Sequence, residues 1–422
     1  MTSQAQESPR LTRPGFGRPD GTTIGVRLAL FLMAGFLYLG VPWIQPEPRT
    51  PGRFMQLAEA FVDGHLSIAD PKPNENELIP TATKGRYHCP YPPLPAVLLM
   101  PFAVFGVSLR VEFACRAISI ANVLLFDSVL RRFPAMLGRP APEIGPRVAL
   151  DLLFAFGTVT WHNAEMGGDW HWAHAVSMCA MLLALREFAG CKRLGFVGCF
   201  VGLSILARPT TGFLALFFVF SVARGPRPSR AASLTKLVAG TAAAIFLLAA
   251  YNQFRFGSPT DFGYDRMLLM GAGQRLLHDY GQFNGHFIPI NLYWFFLAPP
   301  LPLAGGRFPF FGYDPNGLSL FIASPALLYA FVGLRRSWAV PAVRHAAGGI
   351  ACCLLPLLLY FNTGFWQFGH RFSMDYLPLL MLLVLAGVGT RPSRLAYSLI
   401  AISIWVNAAG VIVDPVILPN RL

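Results

Sequence analysis

Residues 194–223 read LGFVGCFVGLSILARPTTGFLALFFVFSVA. Two unbroken apolar runs, 194–207 and 210–223, are parted only by Arg208-Pro209. Lys192 and Arg193 stand before the pair, and Arg224 and Arg227 stand after it. In water such a stretch has no polar face with which to cover itself. In lipid it is a pair of antiparallel helices, because a helix satisfies its backbone hydrogen bonds internally. The basic flanks put both outer ends on one side of the membrane, since Lys and Arg gather in cytoplasmic loops. Arg208 then lies in a very short turn on the other side. A lone Arg there calls for a partner, either a carboxylate or a phosphate.

The pattern repeats along the 422 residues, with further runs at 24–44, 113–130, 148–161, 171–189, 234–251, 318–334, 346–361, 373–389 and 395–413. Only 13% of residues are charged and 54% are hydrophobic. A soluble domain carries roughly 25% charged residues. The runs are continuous, which excludes the short alternating segments of an outer-membrane barrel. The chain therefore reads as an all-α polytopic membrane protein, a single domain over 1–422. Two more apolar segments, 93–107 and 286–304, are short or broken by proline and suit juxtamembrane or re-entrant helices. Excluding them leaves about eleven spans.

Charge sets the orientation. With the N-terminus inside and 93–107 re-entrant, the cytoplasmic loops hold Arg131, Arg132, Arg139, Arg147, Arg186, Arg230, Arg335, Arg336, Arg391 and others, most of the 34 Lys and Arg. The formal charge of +13 is thus the mark of cytoplasmic loops and not of a nucleic-acid partner. Most acids fall outside, notably in a first outer loop, 45–92, and a long late outer loop, 253–317. Residues 1–23 are polar and lack a small-residue cleavage pattern after the first run. They read as a cytoplasmic tail, with the C-terminus outside. The seven Cys show no paired spacing and imply neither a disulfide framework nor a zinc ribbon.

The spans are nearly free of charge, whereas transporters place ionisable groups at mid-membrane. Polar residues gather instead at the outer ends, which favours work at the interface on a lipid-borne substrate. In 51–66, PGRFMQLAEAFVDGHL, apolar residues recur at helical spacing. This is an amphipathic helix lying on the membrane surface, followed by an irregular polar stretch, 67–83. Lys84 and Arg86 then precede the re-entrant segment and are candidates to hold a lipid phosphate, with interfacial anchoring as the alternative. In 162–174, HNAEMGGDWHWAH, the acids Glu165 and Asp169 stand among His162, His171 and His174. Imidazole with carboxylate suits a divalent metal, yet the spacing fits no specific motif, and Trp170 and Trp172 also read as an aromatic belt. In 362–375, NTGFWQFGHRFSMD, His370 and Arg371 are phosphate candidates. The alternative is an Arg–Asp pair locking two helices.

Several of these stretches, in order, are FMQLAEAFVDGHLSI, PPLPAVLLMPFAVFG, GLSILARPTTGFLAL, YNQFRFGSPTDFGY and FWQFGHRFSMDYLP. Their order and placement between spans resemble the GT-C superfamily of integral-membrane glycosyltransferases, specifically the bacterial relatives of protein mannosyltransferases and aminoarabinose transferases. The resemblance covers most of the chain. It implies a GT-C-like bundle in a bacterial inner membrane with its active face extracytoplasmic. It also implies a polyprenyl-phosphate-linked sugar as donor, inversion at the anomeric carbon, a carboxylate base in the first outer loop and a cation at the departing phosphate. Relatives carry an acidic pair just before the LAEAF-like helix, where this chain has Thr50 and Pro51. Glu47 lies three residues earlier, and Asp63 comes later. Asp169, Glu47, Asp63 and Glu165 are therefore the catalytic candidates. Arg208 joins Lys84, Arg86, His370 and Arg371 as phosphate candidates. Two rival functions stay open. A flippase of lipid-linked sugars would need a polar path, for which Asp127 and Asp151 are the nearest candidates. A non-catalytic lipid-binding relative would explain the missing pair. The sugar and the acceptor have no readable code.

Overall fold

The computed structural model describes residues 21–40, 52–69, 76–225, 227–269, 272–302 and 309–413. Helix α1 (Gly21–Gly35) runs into a π turn ending at Gly40. After it come α2 (Arg53–Val62) and the short strands β1 (Ile68–Ala69), β2 (Ile79–Pro80) and β3 (Arg86–His88). Next are α3 (Leu94–Val97), α4 (Met100–Val104), α5 (Val111–Leu130), α6 (Phe133–Met136), α7 (Ile144–Phe156), α8 (Thr160–Met166) and α9 (Asp169–Ala189). The hairpin that opens the argument from sequence is α10 (Leu194–Ala207), a 3-10 turn over Pro209–Leu214, and α11 (Ala215–Ala223). It is followed by α12 (Arg227–Phe256), α13 (Ala272–Tyr280) and α14 (Phe287–Leu292). Strands β4 (Leu301–Pro302) and β5 (Phe311–Gly312) form a small ladder. The chain ends in α15 (Leu320–Ala323), α16 (Tyr329–Ser337), α17 (Pro341–Leu359), α18 (Leu377–Val388) and α19 (Arg394–Ile412).

Among the described residues, five helices are long and apolar enough to cross a membrane: Gly21–Gly40, Val111–Leu130, Pro228–Phe256, Pro341–Leu359 and Arg394–Ile412. Shorter apolar helices accompany them, including both arms of the 194–223 hairpin. The chain is a multi-pass helical membrane protein. Two of the expected spans are not single helices. The run 148–161 breaks at Gly157 into α7 and α8, and 318–334 breaks at Ser324-Pro325 into α15, a 3-10 turn and α16. Pro325 cannot continue the second of these ladders. Helix α19 stitches that second break: Ser403 Oγ accepts from the Ala326 N–H, and Asn407 Nδ2 donates to the Ala323 carbonyl at 2.8 Å.

Burial follows composition. Every residue of α18 is buried, as expected of a helix that is apolar all round. Helix α12 instead exposes Ile245, Phe246, Leu247 and Phe254, a face suited to lipid tails. Small residues let neighbours approach. A Cβ on Gly333 of α16 would strike the Leu383 carbonyl of α18, and one on Gly387 would strike the Tyr329 carbonyl. This is the close backbone contact that membrane helices exploit in place of a hydrophobic driving force.

The segment 67–83, read from sequence as irregular, contributes two strands to a three-stranded antiparallel sheet ordered β1-β3-β2, with Tyr87 opposite Ile68 and Pro80. The fold is therefore helical with two small sheets. Helix α2 does have one apolar face: Phe54, Met55, Leu57 and Ala58 are fully buried. That face packs on α3 and α4. Segment 93–107 forms those two short helices and no continuous span.

The ends of the bundle differ in charge. At one end Asp127 meets Arg27 at 2.8 Å, Arg131 at 3.2 Å and Arg147 at 3.6 Å. Arg132 and Arg186 share the hydroxyl of Ser128 there. At the other end lie the starts of α5, α9 and α18 with the small sheet and the candidate site.

Candidate functional site

A cavity of about 230 Å³ opens among the loops at this second end. Its floor comes from the Arg208–Thr210 turn and from Arg371 and Phe372, just ahead of α18. Its walls come from the end of α17, the start of α9 and segments 90–92 and 262–267. The lining is mostly aromatic and apolar, with Tyr91, Trp170, Tyr264, Tyr360 and Phe361, and has a few polar groups, the usual make-up of a small-molecule site. Asn291 steadies one wall. Its Nδ2 donates to the carbonyls of Leu357, Leu358 and Tyr360 at 2.8–3.2 Å, covering carbonyls that the end of α17 leaves without an intrahelical partner.

Two arginines reach this cavity with opposite fates. Arg208 is clamped by Asp375: Nε donates to Oδ1 at 2.6 Å and a terminal nitrogen to Oδ2 at 3.0 Å. Thr210 Oγ donates to the same carboxylate at 2.6 Å, and His174 Nδ1 lies 3.0 Å from it. The partner that Arg208 requires is thus a carboxylate. Asp375 pairs with Arg208 and not, as the 362–375 stretch suggests, with Arg371.

Arg371 has no carboxylate partner among the described residues. Its side chain is buried, and Nε is buried without a hydrogen bond. Its guanidinium lies 5.0 Å from the centre of the Trp170 ring, and a terminal nitrogen reaches only the Phe365 carbonyl, at 3.5 Å. Burial, and next the Arg208 charge, bring its pKa down to about 10. It stays a cation at neutral pH.

The carboxylate facing this cavity is Glu77. Its Oε2 accepts from Tyr91 Oη at 2.8 Å, Trp170 Nε1 at 3.0 Å and Arg53 at 3.4 Å. Burial raises its pKa, against the opposing pull of Tyr91, Arg53, Arg371 and Trp170. The backbone at Glu77 has φ 65°, a left-handed conformation uncommon for a side-chain-bearing residue. Two bonds fix it there: Glu77 N–H to the Leu268 carbonyl at 2.5 Å, and Leu268 N–H to the Leu78 carbonyl at 2.8 Å. Strain held by its surroundings at a polar cavity is a recurrent feature of functional sites.

The other residues singled out from sequence are dispersed. Asp169 is half-buried, and its two oxygens accept from the N–H groups of Arg53 at 3.0 Å and Phe54 at 3.1 Å. It caps α2 from across the chain, with one backbone donor on each oxygen. Glu165 pairs with Arg116 of α5 at 3.3 Å, and burial lifts it to about 8; it does not line the cavity. Asp63 is exposed beyond the end of α2. Glu47 lies outside the described residues. Lys84 is exposed in the turn between β2 and β3. Arg86 binds Ser67 through Oγ at 3.0 Å and the carbonyl at 2.9 Å and faces a different groove. His370 is stacked 3.6 Å from Phe295, with both ring nitrogens buried and without a hydrogen bond, so it is aromatic packing and not a phosphate ligand. His162 sits by Tyr313 and Phe368, and His174 by Asp375. With His171 they form no metal cluster: no group of three metal-type ligands occurs among the described residues.

Asp127 and Asp151, the acids that a transport path would use, are both buried. Asp127 is consumed by three arginines at the far end. Glu77, Tyr91, Tyr264 and Tyr360 are the residues that sequence reasoning missed. The PYPPLP run, which places Tyr91 beside the cavity-lining prolines, was the available signal for one of them.

No family model matches the chain, and no curated protein does. Among solved structures, it is similar to ArnT from Cupriavidus metallidurans bound to undecaprenyl phosphate, with 12% identity and a TM-score of 0.49 over 92% of this chain and 63% of that one. It is also similar to the Archaeoglobus fulgidus oligosaccharyltransferase in the apo form, with 11% identity and a TM-score of 0.49 over 94% of this chain and 56% of that one. The chain therefore spans less than two thirds of either protein.

Proposed function

We propose that this chain is a GT-C-like glycosyltransferase that moves a sugar from a polyprenyl-phosphate donor to an extracytoplasmic acceptor, with inversion. The observation that carries the proposal is Arg371: a buried guanidinium without a carboxylate, in a cavity that also presents Glu77. A buried cation without a carboxylate in contact is costly, and a ligand phosphate would supply the missing contact. The order of sequence motifs supports the same class of donor.

In this mechanism Arg371 binds the donor phosphate, and the aromatic walls exclude water from the sugar. Glu77 takes the proton of the acceptor hydroxyl as its oxygen attacks the anomeric carbon from the face opposite the phosphate. The bond from that carbon to the phosphate oxygen breaks, and its electron pair leaves on the polyprenyl phosphate. Arg371 stabilises the charge as it grows there, the kind of fixed electrostatic help that dominates many enzyme reactions. A positioned base contributes about 10²–10⁴ in rate. Arg208 is neutralised by Asp375 and holds the cavity floor in shape.

The presence of Glu77 beside Arg371 favours a catalytic protein over a non-catalytic relative. Of the two acids nearest to a flippase path, Asp127 is engaged by arginines, and both it and Asp151 are buried. The test is transfer in liposomes, with radiolabelled polyprenyl-phosphate sugars offered to wild type, Glu77→Gln and Arg371→Gln. Turnover by wild type that Glu77→Gln abolishes, with donor binding intact, is the expected result. No turnover of any donor, or full activity in Glu77→Gln, would overturn it.

A further inference from the structure

Arg86, in KGRYH at 84–88, and Arg255 and Arg266, in YNQFRFGSPTDFGYDR at 251–266, play no part in the cavity chemistry above. The fold brings the two stretches together. They face each other across an open groove of about 730 Å³, walled by the small sheet on one side and the end of α12 on the other. Arg86, Arg255 and Arg266 line it with His65 and His88. The nearby carboxylate of Asp261 is already paired with Arg266.

Arg255 is the anchor. It is 8% exposed and sits 3.8 Å from the centre of the Tyr251 ring and 4.5 Å from that of Phe256. It donates to the Cys89 carbonyl at 2.5 Å and to Asn252 Oδ1 at 2.8 Å. Its Nε is buried without a partner, and no carboxylate neutralises it among the described residues. Arg86, held by Ser67, likewise has no carboxylate partner among them. Neutral acceptors thus aim two uncompensated guanidiniums, and Arg266 beside them, at one solvent-filled groove. Arginine's fixed fork of donors matches phosphate and carboxylate. The groove adjoins the cavity: Arg266 lines the groove, and Tyr264 and Met267, on the same short turn, line the cavity.

We infer that this groove is a second anion site, which takes a phosphate or carboxylate borne by the acceptor and so selects acceptors that carry one. The acceptor role rests on the glycosyl-transfer function proposed above; the anion site does not. Its position within one turn of the cavity lets one molecule place an anionic group in the groove and a hydroxyl near Glu77.

The test uses the full chain in lipid nanodiscs and two probes: inorganic pyrophosphate for a soluble anion, and phosphatidic acid in the nanodisc for a lipid-borne one. Binding of either probe is expected to weaken about tenfold for each arginine removed in Arg86→Gln with Arg266→Gln, as loss of a charged hydrogen bond implies. The share of binding lost in that double variant should persist in Arg371→Gln, which removes only the cavity's own phosphate contact. The probe that binds identifies the source of the anion. Equal binding by wild type and the double variant, or a loss confined to Arg371→Gln, overturns the site. Hydrolysis of the donor by water is measured alongside. It should persist in the double variant while transfer to an anionic acceptor falls relative to a neutral one. A wild type that binds pyrophosphate through Arg86 yet turns over no donor keeps the anion site and removes its acceptor role.

Discussion

The two ends of this bundle treat arginine in opposite ways. At the basic end six guanidiniums have built-in partners: Asp127 collects Arg27, Arg131 and Arg147, Ser128 collects Arg132 and Arg186, and Arg139 donates to Ser337 and to the Ala386 carbonyl. At the other end Asp375 neutralises Arg208 and Glu165 contacts Arg116, but Arg371 and Arg255 are buried without a carboxylate contact among the described residues. A charge whose partners are all built in is architecture. A charge sealed from water and left without one marks a place for something that arrives later.

The contrast can be attacked in several ways. The largest effect is expected at Glu77. Glu77→Gln keeps the hydrogen-bond geometry and removes the base, so transfer should fall about 10²–10⁴-fold while donor binding is retained in an equilibrium assay. Next is Asp375. Asp375→Ala orphans Arg208 and the nearby His174 inside the protein, and unfolding in detergent should show a loss of about 3–5 kcal/mol. Arg371→Gln should do the reverse on both counts. It should weaken donor binding by about 1.5–3 kcal/mol, the worth of a hydrogen bond to a charged group, while Tm stays level or rises. A fall in Tm like that of Asp375→Ala would make Arg371 architecture after all and erase the difference between the ends. Asp169→Ala should cost about 0.5–2 kcal/mol of stability through the lost cap on α2, with full activity regained at low temperature. The smallest effect concerns pH. Glu77 must be ionised to accept a proton, and burial raises its pKa. Transfer should therefore climb with pH through a midpoint above the ~4.3 of a free glutamate. Tyr91→Phe removes a bond to the ionised form and should move that midpoint higher still.

How much of this was legible in the sequence depends on the range of the interaction. The helical membrane class, the short turn at Arg208 and the gathering of arginines at one end follow from local composition, and the structure has them. The breaks at Gly157 and Ser324-Pro325 escaped because hydrophobicity stays high across them while the backbone ladder does not. The site was harder. Density of acids and His pointed to 162–174, but Asp169 there is spent on the backbone of α2 and Glu165 on Arg116. Glu77 stands in an irregular run, PNENELIP, with no periodicity to single it out. What selects it is Trp170, more than ninety positions along the chain, and no local pattern carries that information. Arg371 was named from its position at the mouth of a span, but its lack of a carboxylate became visible only when Asp375 was found with Arg208.

The cap on α2 has a consequence for the order of assembly. Asp169 is made 116 residues after Arg53, whose N–H it accepts. At about 5–20 residues per second of synthesis, the first turn of α2 waits on the order of ten seconds for its acceptor. Trp170, which donates to Glu77, arrives at the same moment. The nascent chain thus cannot finish the surroundings of Glu77 until residues 169–170 have been made and folded against α2, the helix that Asp169 caps.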